Sequence, residues 1–105
     1  MKLFTYDDIT GDGAKHQLTS LLKVGGVAVS QTNWDTKWVQ LTMQTASGVS
    51  RVGDVNVSST NGIPLNTTEQ SQFVPPIAFA TDKYEMTDLY VIINNGDVMS
   101  VARAV

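Results

Sequence analysis

Ten carboxylates, one histidine and no cysteine are what this 105-residue chain offers to acid–base, nucleophilic or metal chemistry. His16 is the lone imidazole, and no Ser-His-Asp or Cys-His arrangement can be assembled around it from spacing, so a surface or turn histidine is the ordinary reading. The run Asp8-Ile9-Thr10-Gly11-Asp12-Gly13 half matches a calcium loop, with Asp at loop positions one and five and Gly at six. The bidentate carboxylate required at position twelve falls on Thr19, which cannot supply it. Glycoside hydrolysis needs two carboxylates held about 5 to 10 Å apart. Asp54, Asp82, Glu85, Asp88 and Asp97 each stand beside turn residues or at strand ends, where solvation accounts for them. No acid, base and nucleophile set emerges, so the chain reads as a non-enzyme with no metal and no cofactor.

The aromatic residues are the next candidates. Trp34 and Trp38, four apart, together with Phe73, Tyr84 and Tyr90, are read as an interface or aromatic platform, with sugar stacking as one use and plugging of the core as the bland alternative. Asn56-Val57-Ser58 and Asn66-Thr67-Thr68 match the glycosylation sequon, yet no secretory signal precedes them and they read as coincidences of an amide- and hydroxyl-rich surface. A net charge of −3 without any Lys/Arg cluster argues against nucleic-acid binding. The start, MKLFTYDDITGDG, meets Asp7 and Asp8 before any apolar run develops, and nothing elsewhere approaches the ~20 apolar residues of a membrane span. Synthesis in the cytoplasm and no membrane partner are the expectations.

These side chains must be positioned by strands. With 42% hydrophobic and 16% charged residues the chain can form one modest core, and its length suits a single domain over residues 1–105, with 1–15 as a possible N-terminal arm. Trp38 to Thr45 has period two, Val39, Leu41 and Met43 on one face and Gln40, Thr42 and Gln44 on the other. Val49 to Val52 follows at hairpin distance and is expected beside it. In VSRVGDVNVSSTNGIPL, Val49 to Leu65, a second pair of strands is expected across Gly53-Asp54, with Gly62 and Pro64 forming the next corner. Gln17 to Lys23 is expected to pair with Val27 to Gln31 across Gly25-Gly26, in preference to a short helix. Pro75-Pro76 marks an edge or cover after Phe73. Leu89 to Ile93 and Val98 to Val105 are expected as a hairpin across Asn95-Gly96, a type I′ turn signal. The sum is an all-β, antiparallel sandwich, jelly-roll-like.

A series of motifs in order adds a resemblance: Trp38-Val39-Gln40-Leu41, then Val49-Ser50-Arg51-Val52-Gly53-Asp54 with Val57-Ser58, then Gly62-Ile63-Pro64-Leu65, then Phe73 and Pro75-Pro76, then Asp88-Leu89-Tyr90-Val91 and Gly96-Asp97-Val98 with Ser100-Val101. It resembles a family of small tailed-bacteriophage virion proteins and covers roughly Trp38 to Val101. The resemblance implies a structural role in the virion, similar to capsid cement or decoration subunits, with the major capsid protein or another virion protein as partner and a dimer or trimer as the assembly. The chain departs from that family in the polar Thr60 to Gln72 region and at Met86. A carbohydrate-binding or host-attachment module, or a small tail or connector component, is the alternative.

Overall fold

The period-two run from Trp38 to Thr45 becomes one wall of the core. The computed structural model describes residues 2–75 and 83–105. Among them the strands, in chain order, are β1 (Leu3–Thr5), β2 (Ile9–Thr10), β3 (Lys15–Gln17), β4 (Lys23–Val24), β5 (Val27–Ala28) and β6 (Asp35–Thr36). They continue with β7 (Trp38–Thr45), β8 (Ser50–Gly53), β9 (Ile63–Leu65), β10 (Ser71–Val74), β11 (Tyr84–Glu85), β12 (Tyr90–Ile92) and β13 (Val98–Ala104). Single 3-10 turns occupy Leu18–Leu21 and Met86–Asp88.

Two antiparallel sheets form a sandwich. The larger runs β1-β13-β7-β10, with β2 also on β13, and the smaller runs β3-β12-β8-β9. Alternation along β7 buries Val39, Leu41 and Met43 completely, and Met99 and Val101 of β13 join them. Val52, Leu65 and Val91 bring the smaller sheet into the same cluster, with Leu18, Leu22 and Met86 closing its rim. Each such side chain contributes about 1.5–3 kcal/mol by leaving water. Two further two-stranded ribbons, β4-β5 and β6-β11, flank the sandwich.

The fold class agrees with the expectation, and several pairings do not. Leu89 to Ile93 and Val98 to Val105 are not a hairpin, because β12 pairs with β3 and β8 while β13 pairs with β1, β2 and β7. The Asn94–Asp97 turn is an arch from one sheet to the other. Of its central residues Gly96 alone has positive φ, 84°, so it is not type I′ either. The 46–49 connection is likewise an arch, since β7 and β8 belong to different sheets. Both arches carry the chain across the sandwich, whereas the connection between β8 and β9 stays within the smaller sheet.

In the Val49 to Leu65 stretch, β8 pairs with β9, Ser50 opposite Leu65 and Val52 opposite Ile63, and Val55 to Ser58 is no strand. Residues 54–62 form a loop, with Val57 N donating to Asp54 O at 3.0 Å and a single bridge between Ser58 and Asn61. Pro64 sits inside β9 rather than at a corner, on the strand that ends the smaller sheet, where its missing donor is not needed by a neighbour. The Gly25-Gly26 hairpin does form, with φ of 59° and 81°, but its strands are two residues each. Gln17 to Lys23 is broken by the 3-10 turn, which buries Leu18 and places Leu22 in the core. Residues of the proposed arm are found in β1 and β2 alongside β13. Phe73 lies on β10, the last strand on that side among the described residues, and Pro76 and Asp82 lie outside them.

Candidate interaction surface

The five aromatic candidates do not meet in one platform. Trp34 is 6% exposed and its ring lies 5.1 Å from the guanidinium Cζ of Arg103; the Phe4 ring lies 5.4 Å from the same carbon. Arg103 Nε donates to Thr36 Oγ1 at 2.6 Å and its Nη2 to Asp35 O at 2.9 Å. A buried cation is held by two π faces and two neutral oxygens, with no carboxylate paired to it among the described residues. Trp34 thus ties β6, β13 and β1 together and offers no face to a ligand. Tyr84 stands near this cluster on β11, its hydroxyl donating to Val74 O. Burial pushes its pKa well above the ordinary value, against the opposing charge of Arg103, so the phenol stays protonated.

Trp38 and Phe73 do come together. Their centroids are 5.2 Å apart at an interplanar angle of 83°, an edge-to-face pair. They lie on the outward side of the larger sheet, because Trp38 and Phe73 alternate with the buried and half-buried residues that face the core. The other outward positions of β7 are Gln40, Thr42 and Gln44. Ser100 and Ala102 of β13 lie opposite Thr42 and Gln40, and Ser71 of β10 flanks Thr42 on its other side. Hydroxyls and amides on this face bond one another, Thr42 Oγ1 to Ser71 Oγ at 2.8 Å and Gln44 Nε2 to Ser100 Oγ at 2.6 Å. No outward position of β1, β13, β7 or β10 carries a charged side chain. A groove of about 200 Å³ crosses it above Ser100 and Ala102, between Tyr6 and Gln40.

Tyr90 is on the far side of the molecule, pointing out of the smaller sheet between buried Leu89 and Val91. Lys15 Nζ lies 5.9 Å from its ring and donates to Val55 O at 2.7 Å. Gln17 Nε2 donates to Thr87 O at 2.7 Å. Asp54 and Asp88 border the open groove of about 570 Å³ that Tyr90 lines.

The chemistry-bearing groups are engaged in holding loops. His16 Nε2 meets Asp12 Oδ2 at 2.8 Å, and Asp12 Oδ1 accepts from Ala14 N at 2.9 Å. These bonds, the backbone one foremost, hold the Asp12 carboxyl below its usual range. The cleft beside the pair has about 30 Å³, room for one water and no substrate. Among the described residues no cluster of three or more His, Asp or Glu side chains is placed to hold a metal.

Two carboxylates bind partners far along the chain, and one of them, Asp97, is buried rather than the solvated turn carboxylate expected from its neighbours. Asp7 accepts from the N–H groups of Gly25 and Gly26 at 3.0 and 2.7 Å and so braces the β4-β5 hairpin. Asp97, 2% exposed, accepts from Ser47 N and Ser47 Oγ, from Gly48 N at 3.2 Å and from Asn94 Nδ2 at 3.1 Å. Hydrogen bonds led by Ser47 N depress its pKa. Of the turn residues singled out from sequence, Asn95 and Gly96 belong to this arch, and Gly53, Asp54 and Gly62 surround the 54–62 loop.

Comparison with protein-family models, characterised proteins and solved structures finds no match to this chain.

Proposed function

We propose that the protein is a non-enzymatic structural subunit of a tailed-phage virion, a decoration or cement protein that binds the assembled head and stabilises it by favouring the assembled state. The observation that carries this reading is the uncharged outward face of the larger sheet, where Trp38 and Phe73 stand beside a field of amides, hydroxyls and alanines. Covering such a face removes no ionised group from water, and its polar groups can exchange partners with an opposing protein. The ordered motif series from Trp38 to Val101 supports the same reading. The subunit acts as a dimer or trimer, with the major capsid protein as its partner, made in the host cytoplasm and resident in the virion. Purified virions should contain it at a copy number comparable to that of the capsid protein, and particles lacking it should lose heat resistance. Its absence from purified virions overturns the proposal. A tail or connector location in a particle reconstruction would replace the head assignment.

A second reading is favoured by one observation, the open groove that Tyr90 lines together with Asp54 and Asp88. That combination suits a saccharide-binding or host-attachment role, with stacking on the ring and hydroxyls bonded to carboxylates. A glycan array on the native protein and on Tyr90→Ala decides it: binding lost in the variant supports the reading, and no binding by either removes it.

A further inference from the structure

The chain carries two Asn-Gly pairs, Asn61-Gly62 and Asn95-Gly96. In such a pair the glycine nitrogen, with no Cβ beside it, can reach the carboxamide carbon of the preceding asparagine. Both asparagines are exposed to water. Their glycine nitrogens differ.

Gly96 N donates to Gly11 O at 3.0 Å, and the same arch is closed by Asp97 N donating to Asn94 O at 3.0 Å. Gly11 is buried and itself held, its N–H donating to Asp97 O at 2.8 Å. The nitrogen that would attack Asn95 is thus pinned between two segments of backbone. Gly62 N donates to no acceptor among the described residues. It stands just before β9, in which Pro64, opposite Arg51, has no N–H to donate. The Asn61 carboxamide projects into the loop it helps to close, its Nδ2 donating to Asn56 O at 3.0 Å.

We propose that Asn61 is a site of spontaneous covalent modification in the folded protein, and that Asn95, with the same dipeptide chemistry, is protected by its arch. Gly62 N loses its proton to hydroxide and bonds to Asn61 Cγ. The Cγ–Nδ2 bond breaks and ammonia leaves with a proton from water, giving a five-membered succinimide. Water then adds to either ring carbonyl and opens it to aspartate or isoaspartate, with no change of oxidation state. The product replaces the donor that Asn56 O uses by an acceptor, and lone-pair repulsion there loosens the 56–61 loop. One negative charge is added beside Asp54 and the groove lined by Asn56, Val57 and Gly62.

Peptide mapping by mass spectrometry after incubation of the native protein at mildly alkaline pH tests this. The Asn61 peptide should convert about fivefold faster than the Asn95 peptide, the population factor of one ordinary hydrogen bond. In concentrated urea the two rates should converge, since both nitrogens are then solvated. Equal rates in the folded protein, or faster conversion at Asn95, would overturn the proposal. A ratio unchanged by urea would overturn it as well, by assigning the difference to flanking sequence instead of fold.

Discussion

The two ends of β8 are built on opposite plans. At its Ser50 end the chain is fastened to segments remote in sequence: Ser50 Oγ accepts from Asn94 N at 2.9 Å, and Ser47 and Gly48 donate to Asp97. Gly11 joins them by donating to the main-chain oxygen of Asp97, so that three segments meet at one residue. At its Gly53 end the 54–62 loop is closed almost entirely by its own residues, through Asn56 N to Asp54 Oδ1 at 2.9 Å, Val57 N to Asp54 O, and Asn61 Nδ2 to Asn56 O. One end is a long-range knot and the other a local clasp. The difference shows that glycine and acid in a turn do not reveal whether the turn is shared.

Breaking the knot should have the larger effect. Asp97→Ala leaves the donors of Ser47, Gly48 and Asn94 facing a void, and a donor stranded in this way costs more than its bond contributed. A larger fall in the urea unfolding midpoint is expected than for any change in the 54–62 loop. Asp97→Asn sharpens the point through pH. The carboxyl's folded pKa lies below the ordinary 3.8, so its stabilisation is present in full above the unfolded value and is lost as pH falls through the folded one. The native protein should therefore weaken below about pH 4, and Asp97→Asn should flatten that limb of the stability curve. An unchanged acid limb would show that the carboxylate is not what holds the knot.

Gly62→Ala should come next. Gly62 has φ of 118°, and a Cβ there would stand 2.7 Å from Val57 Cγ2 and 2.9 Å from Val52 O. Strain in the left-handed region and a contact against backbone together should cost about 2 kcal/mol in chemical denaturation. A loss confined to the loop should leave the native near-ultraviolet signal of Trp34 intact, because Trp34 is packed on Arg103.

What could be read from residues alone follows the same division. The period of β7 and the Gly25-Gly26 turn are local properties, and each appears in the fold. Sheet membership is not local. Asn94 to Asp97 has the composition of a hairpin turn, and a turn that arches between sheets uses the same residue types. What separates the two is Asp97 meeting Ser47, fifty residues away, and neither residue announces that pairing. Trp34 was legible as a large apolar group needing cover but not as the lid of Arg103, since the guanidinium arrives from β13 and lies in no pattern around the tryptophan. The surface candidates were half legible: period two assigned Gln40, Thr42 and Gln44 to one face, and the register with β13 and β10 then made that face continuous.

Gly53→Ala should produce the smallest change, and it tests the clasp most directly. Val-Gly-Asp suggests a turn whose glycine needs positive φ, yet Gly53 belongs to β8, pairs with Tyr90 and is absent from the left-handed residues. An added Cβ would lie 3.4 Å from Val57 Cβ and 3.6 Å from Gly62 Cα, at the near limit of ordinary contact. Alanine also removes conformational freedom from the unfolded chain, which works in favour of the fold. The two effects oppose each other, and stability should stay within about 0.5 kcal/mol of the native protein. The bend in Val49 to Leu65 is then set at Gly62, where the chain leaves the loop for β9, and not at Gly53. A loss at Gly53 equal to that at Gly62 would mean that Val57 cannot yield, and that the 54–62 loop is held as tightly as the Asp97 knot.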